Sequence, residues 1–150
     1  MNNKKDNVLS ETFFYEANGY SMWPFLKPGY KLIVKKISIY EIKLGDLVLY
    51  RYKNKLICHR VIRKSLKNDD VVLYLRADNS CCGSECISSV NYVGKAVELC
   101  LENKVISLIS WQMIFVNRLL VIFSPFVYCV IKPLWQILRK VRNSWQKRRK

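Results

Sequence analysis

No acidic side chain lies beyond residue 104, whereas nine lysines and arginines do. All 11 acidic residues precede that point in a chain whose net charge is +15. A basic tail without counter-charges of its own is not neutralised internally and needs an anionic partner, either lipid headgroups or nucleic acid. The first twenty residues hold no apolar segment, so neither a cleaved secretory signal nor an N-terminal membrane anchor is expected. The six cysteines, at 58, 81, 82, 86, 100 and 129, fall into no standard zinc spacing. Without a signal segment they are expected to be reduced thiols rather than a disulfide frame. No metal and no cofactor are expected, and Cys81 to Cys86 is read as a loop of free thiols. There is one histidine, His59. There is no internal repeat and no low-complexity segment, and 150 residues make one domain with an appendage.

What is present is a succession of short β-type segments. Residues 1–11 are polar and are expected to be flexible. Thr12 to Tyr15 is an aromatic patch that fits a strand or the end of a helix. Strands are expected over Tyr30–Ile37, Leu47–Tyr52, Lys55–Lys64, Val71–Ala77, Tyr92–Leu101 and Lys104–Ile109, from β-branched and alternating residues bounded by turn signals. Lys53-Asn54 reads as a hairpin turn, and residues 78–91 as a loop rich in Ser, Cys and Gly. Period-two alternation puts His59 on one face with Ile57, Val61 and Arg63. Many short strands joined by small turns indicate a mainly β, barrel-like or two-sheet domain over residues 12–104.

After residue 104 the composition changes. Residues 105–138 are apolar in long runs, broken by Gln112, Asn117, Arg118, Pro125, Lys132 and Pro133. A spanning helix needs about twenty mostly apolar residues. Leu119–Ile131 is too short for that, and Ile106–Phe123 would have to carry Arg118, at about 2.5–3.5 kcal/mol if central. Trp111 and Trp135 suit the headgroup regions, and the seven cations from Arg139 to Lys150 suit an anionic leaflet at about 1 kcal/mol each. Residues 105–150 are therefore expected to be helical and to bind membrane lipids, as a hairpin, a re-entrant helix or an in-plane pair. The competing reading is a helical appendage packed on the β domain. The basic end is expected on the cytoplasmic side of the cell membrane. A single crossing would put the β domain outside, and a hairpin or in-plane anchor would keep it inside. No nucleic-acid partner is expected, because the basic run follows an apolar segment and no binding module is present.

The chemistry gathers around Gly19-Tyr20-Ser21-Met22-Trp23-Pro24. Gly19 permits unusual backbone angles, Pro24 fixes its own φ, and Trp23 is pushed out of helical space. A stiff bend with a hydroxyl near its apex sets an attack angle in advance, which a serine nucleophile requires. The same stretch also fits an ordinary turn. Three further segments follow: Gly45-Asp46 opening a strand, His59-Arg60-Val61-Ile62, and the acidic turn Asp78-Asn79. Ser21 needs a neighbouring base, and His59 titrates in the right range to take its proton and return it to a leaving amine. Asp78 is the candidate partner for the imidazole's second nitrogen. Asp46 competes for that role and is read instead as closing its turn.

The ordered set Gly-x-Ser-Met-x-Pro, Gly-Asp, His-Arg-Val-Ile and Asp-Asn, over roughly residues 17–99, resembles the S24/S26 serine peptidases. That group contains type I signal peptidases and self-cleaving LexA-like repressors. The histidine at the base position is similar to the Ser-His branch found in ER, archaeal and some Gram-positive enzymes. The resemblance implies a small β-barrel-type catalytic domain with Ser21 as nucleophile, His59 as base and Asp78 as a possible third member. It implies an oxyanion hole from the Ser21 N–H, and a peptide groove walled by Met22 and Pro24 in which the substrate lies as an added strand. The expected substrate is a precursor protein or leader peptide. Two other readings stand beside it: a LexA-like self-cleaving or binding module anchored at the membrane, and a scaffold with a decayed site. Residues 1–18 are too short for a DNA-binding helix-turn-helix.

Overall fold

The structure is a computed structural model that describes residues 11–80, 83–102, 104–123 and 129. Cys81, Cys82, Trp135 and the basic run from residue 139 lie outside the described residues, as do residues 1–10 of the expected flexible N-terminus. The chain is mainly β, as its alternation predicts. Its strands are β1 (Thr12–Glu16), β2 (Lys31–Lys35), β3 (Leu47–Tyr52), β4 (Lys55–Lys67), β5 (Asp70–Arg76), β6 (Glu85–Ile87), β7 (Tyr92–Leu101) and β8 (Lys104–Ser107). They form one antiparallel sheet in the order β1-β2-β7-β3-β4-β5-β6, with β8 paired to β7. Barrel closure, expected from the many short strands, is not made among the described residues: β1 and β6 remain as edges.

Strand β3 is buried on both faces, which is why it reads as a continuous apolar run. Leu47 and Leu49 join Leu32, Val34, Ala96 and Leu99 on one side, while Val48 and Tyr50 join Val61, Val71, Leu73 and Leu75 on the other. The β3–β4 hairpin turns at Lys53-Asn54, where Lys53 takes a left-handed φ, and the register pairs Tyr50 with Ile57 and Val48 with His59. The β4–β5 hairpin turns at Asn68-Asp69, both with positive φ, a conformation these two residue types tolerate. Strand β4 therefore runs to Lys67, three residues beyond the expected end.

Within β4 a bulge sits between Val61 and Arg63. The extra residue, Ile62, reverses the alternation, because one inserted residue exchanges the faces that follow it. Arg63 consequently pairs with Tyr74 and lies over its ring, away from the face that holds His59 and Val61. That corrects the expectation that Arg63 shares the His59 face.

The sheet also continues past residue 104. Strand β8 pairs with β7, and Leu108 is buried in the first core cluster. A helix, α1, covers residues 111–123. It is held to the sheet by Asn117, which is buried, and by Val121, whose carbonyl accepts from Arg76 Nη2 at 2.6 Å. Among the described residues no helix is long and apolar enough to cross a membrane. Much of α1 is nonetheless exposed and apolar, including Trp111, Phe115, Ile122 and Phe123.

Gly45 shows how closely α1 lies. Its φ is +89°, and a Cβ there would stand 3.1 Å from the Asn117 carbonyl carbon and 3.2 Å from the Arg118 nitrogen. Gly45→Ala is therefore expected to destabilise the fold by at least the left-handed cost of about 1–2 kcal/mol. A thermal-unfolding midpoint equal to that of the wild type would contradict this contact.

Candidate active site

Ser21 sits in the bend between β1 and β2, on the stretch 20–26, which the structure forms as a run of turns. Leu26 N–H donates to Met22 O at 2.8 Å and Trp23 N–H to Tyr20 O at 3.1 Å, and the Trp23–Pro24 peptide is cis. Two residues anchor the bend: Met22, 3% exposed, and Leu26, 1% exposed, both in the first core cluster. Met22 is thus a core residue and does not line an open groove, because its side chain is spent on holding the bend to the sheet; Pro24 is exposed. Gly19 lacks the positive φ expected of it, and a Cβ there would meet nothing. The stiffness of the corner comes from the buried anchors rather than from glycine.

Ser21 itself is exposed. Its carbonyl accepts from Asn79 N–H at 2.8 Å, and Asn79 Nδ2 reaches Tyr20 O at 3.2 Å. The acidic turn after β5 is thereby stitched to the serine bend. Neither the Oγ nor the N–H of Ser21 is engaged in a hydrogen bond among the described residues.

Asp78 and Arg60 form the rigid centre of this region. Arg60 is 1% exposed. Its Nε and Nη2 donate to Asp78 Oδ1 and Oδ2 at 2.8 and 2.7 Å, and its Nη1 donates to Gly45 O at 3.0 Å and Asn117 Oδ1 at 2.7 Å. The guanidinium also lies 4.9 Å over the Phe25 ring, part of the serine bend. A two-pronged pair of this kind satisfies both carboxylate oxygens. Asp78 therefore does not take the imidazole's second nitrogen as expected; the adjacent arginine holds it.

The imidazole has other partners. His59 lies opposite Val48 on the Tyr50 face of the sheet, and its Nδ1 is 3.0 Å from Tyr50 Oη. Tyr50 Oη in turn donates to Glu85 Oε2, and Glu85 Oε1 stands 3.8 Å from Nδ1. Burial, reinforced by the hydrogen bond and charge of Glu85, raises the Tyr50 pKa, so the phenol stays protonated. With its proton given to Glu85, the Tyr50 oxygen accepts from Nδ1–H. That fixes the tautomer and leaves Nε2 as the basic nitrogen, and Nε2 makes no hydrogen bond among the described residues. Burial also lowers the His59 pKa below 6.5, with the charges of Glu85 and then Asp78 pulling the other way.

His59 borders a cavity of about 230 Å³ with Ala77, Ser80, Gly83, Ser84 and Glu85. The serine bend packs on the Arg60 side of β4 through Met22, Phe25 and Leu26, and His59 projects to the other, since neighbouring strand residues alternate. What draws the two regions together is the 77–80 turn, which holds the Ser21 carbonyl through Asn79 and walls the His59 cavity through Ala77 and Ser80. No hydrogen bond joins Ser21 Oγ to His59. Two other groups nearby are not part of the chemistry. Burial pushes the Cys58 thiol up to about 12, which keeps it protonated and unreactive. Asp46 accepts from Lys43 N–H and pairs with Lys95 Nζ, both at 2.8 Å, and so closes its turn.

Tyr50 and Glu85 were not among the residues expected at the site. A two-residue turn at Lys53-Asn54 implies the register that puts Tyr50 diagonal to His59 on one face, so Tyr50 was accessible to sequence reasoning. Glu85 was not, because it depends on β6, a three-residue strand in a stretch that reads as loop.

The lowered His59 pKa has a direct consequence. A base must be neutral to act, so a reaction that uses His59 as its base is expected to show an acid limb with its midpoint below 6.5, where His59 protonates. Stability moves the same way. The unfolded chain takes up this proton before the folded one does, so the His59 contribution is complete above pH 6.5 and is lost as pH falls through the folded value. A rate profile whose acid limb has its midpoint above 6.5 would contradict both statements.

A family model described as Peptidase S24-like matches residues 3–97 of the chain. No curated protein matches it.

Proposed function

Because the chain belongs to the Peptidase S24-like family, we propose that it is a serine endopeptidase whose nucleophile is Ser21 and whose general base is His59. The observation that carries this reading is that one turn, residues 77–80, joins an anchored bend bearing an exposed serine with an unengaged hydroxyl to the cavity of the chain's one imidazole, whose tautomer is fixed by Tyr50 and Glu85. Ser21 Oγ attacks the scissile carbonyl while His59 Nε2 takes its proton. The imidazolium is stabilised by the Glu85 carboxylate, through Tyr50 and across 3.8 Å. The unengaged Ser21 N–H faces the developing oxyanion, and His59 returns the proton to the leaving amine. Water then releases the acyl group by the same route. On this reading Ser21 Oγ and His59 Nε2, which share no hydrogen bond in the free protein, have to come within reach when substrate binds; the 77–80 turn, which holds the Ser21 carbonyl and walls the His59 cavity, is the element that has to move.

The substrate on this reading is an extended segment of a precursor protein, a leader or signal segment, as in the Ser-His branch of type I signal peptidases. The exposed apolar side chains of α1 and the basic sequence beyond it favour a site at a membrane surface, with lipid contact through residues 105–150. The family match also supports a second reading, cleavage of the chain itself in the manner of LexA-like proteins.

Treatment with a fluorophosphonate, followed by peptide mass spectrometry, tests the assignment. The reagent forms a P–O bond with the attacking oxygen and expels fluoride, and the hydroxyl proton passes to the base. Label on Ser21, lost in His59→Ala, is the expected result. Absence of label, or label on another residue, rejects Ser21 as the nucleophile. Self-cleavage is recognised by a chain-cutting rate that does not change with protein concentration.

A further inference from the structure

Helix α1 follows the last strand of the sheet, yet it supplies a side chain to the middle of the candidate site. Asn117 is 4% exposed, and its Oδ1 accepts from Arg60 Nη1 at 2.7 Å. Among the described residues that oxygen is one of two acceptors on Nη1, the other being Gly45 O. The glycine lets the helix backbone come close enough to make the bond, because a Cβ at position 45 would press on Asn117. A polar side chain facing the core from a helix that is otherwise apolar on most sides is costly unless it is hydrogen-bonded. Here the partner is a buried cation that must be held in one orientation.

The bonds lead onward without a break. Asn117 fixes Arg60; Arg60 clamps Asp78 through two nitrogens and covers Phe25 of the serine bend. Asn79, the next residue, grips the carbonyls of Ser21 and Tyr20. Arg76 ties the same helix to the end of β5, just before that turn. The chain's one imidazole is the immediate neighbour of Arg60.

From this we infer that Asn117 is a positioning residue for the peptidase site: α1 sets the orientation of Arg60, and through the Asp78-Asn79 turn it sets the place of Ser21. The inference rests on the reading of Ser21 as nucleophile. It gives α1 a role in the reaction that no contact with substrate would reveal. The expected signature is loss of Ser21 reactivity while the sheet stays folded.

The test compares wild type, Asn117→Leu and Asn117→Asp in the full chain. Leucine matches the volume and removes the acceptor, whereas aspartate keeps an oxygen where Arg60 needs it. The first readout is the rate of fluorophosphonate labelling at Ser21. The second is amide hydrogen exchange, which compares Asn79 with Leu32 and Val34 of the β2–β7 pair. Asn117→Leu is expected to label about 10- to 100-fold more slowly, the scale of an ångström-level misplacement. Its Asn79 amide is expected to exchange faster, with Leu32 and Val34 unchanged. Asn117→Asp is expected to restore both to near the wild-type level.

Equal labelling by Asn117→Leu and wild type overturns the inference and leaves the nucleophile assignment standing. Equally slow labelling by the leucine and aspartate variants also overturns it, because the acceptor oxygen would then be irrelevant. Exchange that rises at Leu32 and Val34 as much as at Asn79 shows general loosening and overturns it too. Should Asn117→Leu fail to fold, Asn117→Ser, which is too short to reach Nη1, takes its place with the same outcomes. A wild type that takes no label removes the peptidase reading and this inference together.

Discussion

Ser21→Ala is expected to lower peptide cleavage by about 10⁶-fold, the scale seen when a serine peptidase loses its nucleophile. The reason is that Ser21 carries the one aliphatic hydroxyl on the bend. Tyr20 and Met22 flank the serine, Met22 is buried, and the Cys58 thiol in the same core cluster as Met22 is kept in the protonated form. The fold should not notice the change. Ser21 is exposed and its Oγ makes no hydrogen bond, so stability is expected to stay within about 0.5 kcal/mol of wild type. A pool of synthetic peptides taken from candidate precursors, read by mass spectrometry, supplies the measurement, with thermal unfolding as the control. Cutting at the same bonds and rates by wild type and Ser21→Ala would end the assignment of Ser21.

The second large effect is on stability. Arg60→Ala is expected to cost about 3–5 kcal/mol, because it strands the Asp78 carboxylate, whose side chain is 2% exposed, without a cation. It also orphans Gly45 O and Asn117 Oδ1, both of which accept from Arg60. Most of the loss comes from the uncompensated charge rather than from the missing contact. It follows that the double variant Arg60→Met with Asp78→Leu should be less destabilised than Arg60→Ala alone. Arg60→Lys should fall between, since an ammonium cannot match both carboxylate oxygens at once. Urea unfolding at neutral pH decides the matter. A loss under about 1 kcal/mol for Arg60→Ala would mean that the pair does not hold the turn.

Much of this was visible in the sequence, and the exceptions have definite causes. The hairpin strands were legible because two-residue turns and period-two alternation fix both their ends and their register. The serine bend and the imidazole were legible because each is the centre of a short, ordered motif. The partner of Asp78 was not, since an Asp-Asn turn and a triad acid look alike until the neighbouring arginine is placed. The bulge at Ile62 left no mark in a run of apolar and basic residues, and it moved Arg63 to the opposite face. Strand β6 was hidden in a loop-like composition, and with it Glu85. The stretch after residue 104 was the hardest to read. Its apolar content suggested lipid, and Asn117 looked like an interruption of the run. In the folded chain Leu108 is core, and Asn117 is the point where the helix meets the sheet.

The close approach of Gly45 and Asn117 bears on where this protein can be shortened. A chain cut at residue 104 would lose more than its basic end. It would shed the Leu108 plug, uncover the backbone around Gly45, and leave one nitrogen of a deeply placed guanidinium facing water. A chain ending after residue 123 keeps all three, so only the later boundary removes the basic end and leaves the domain intact.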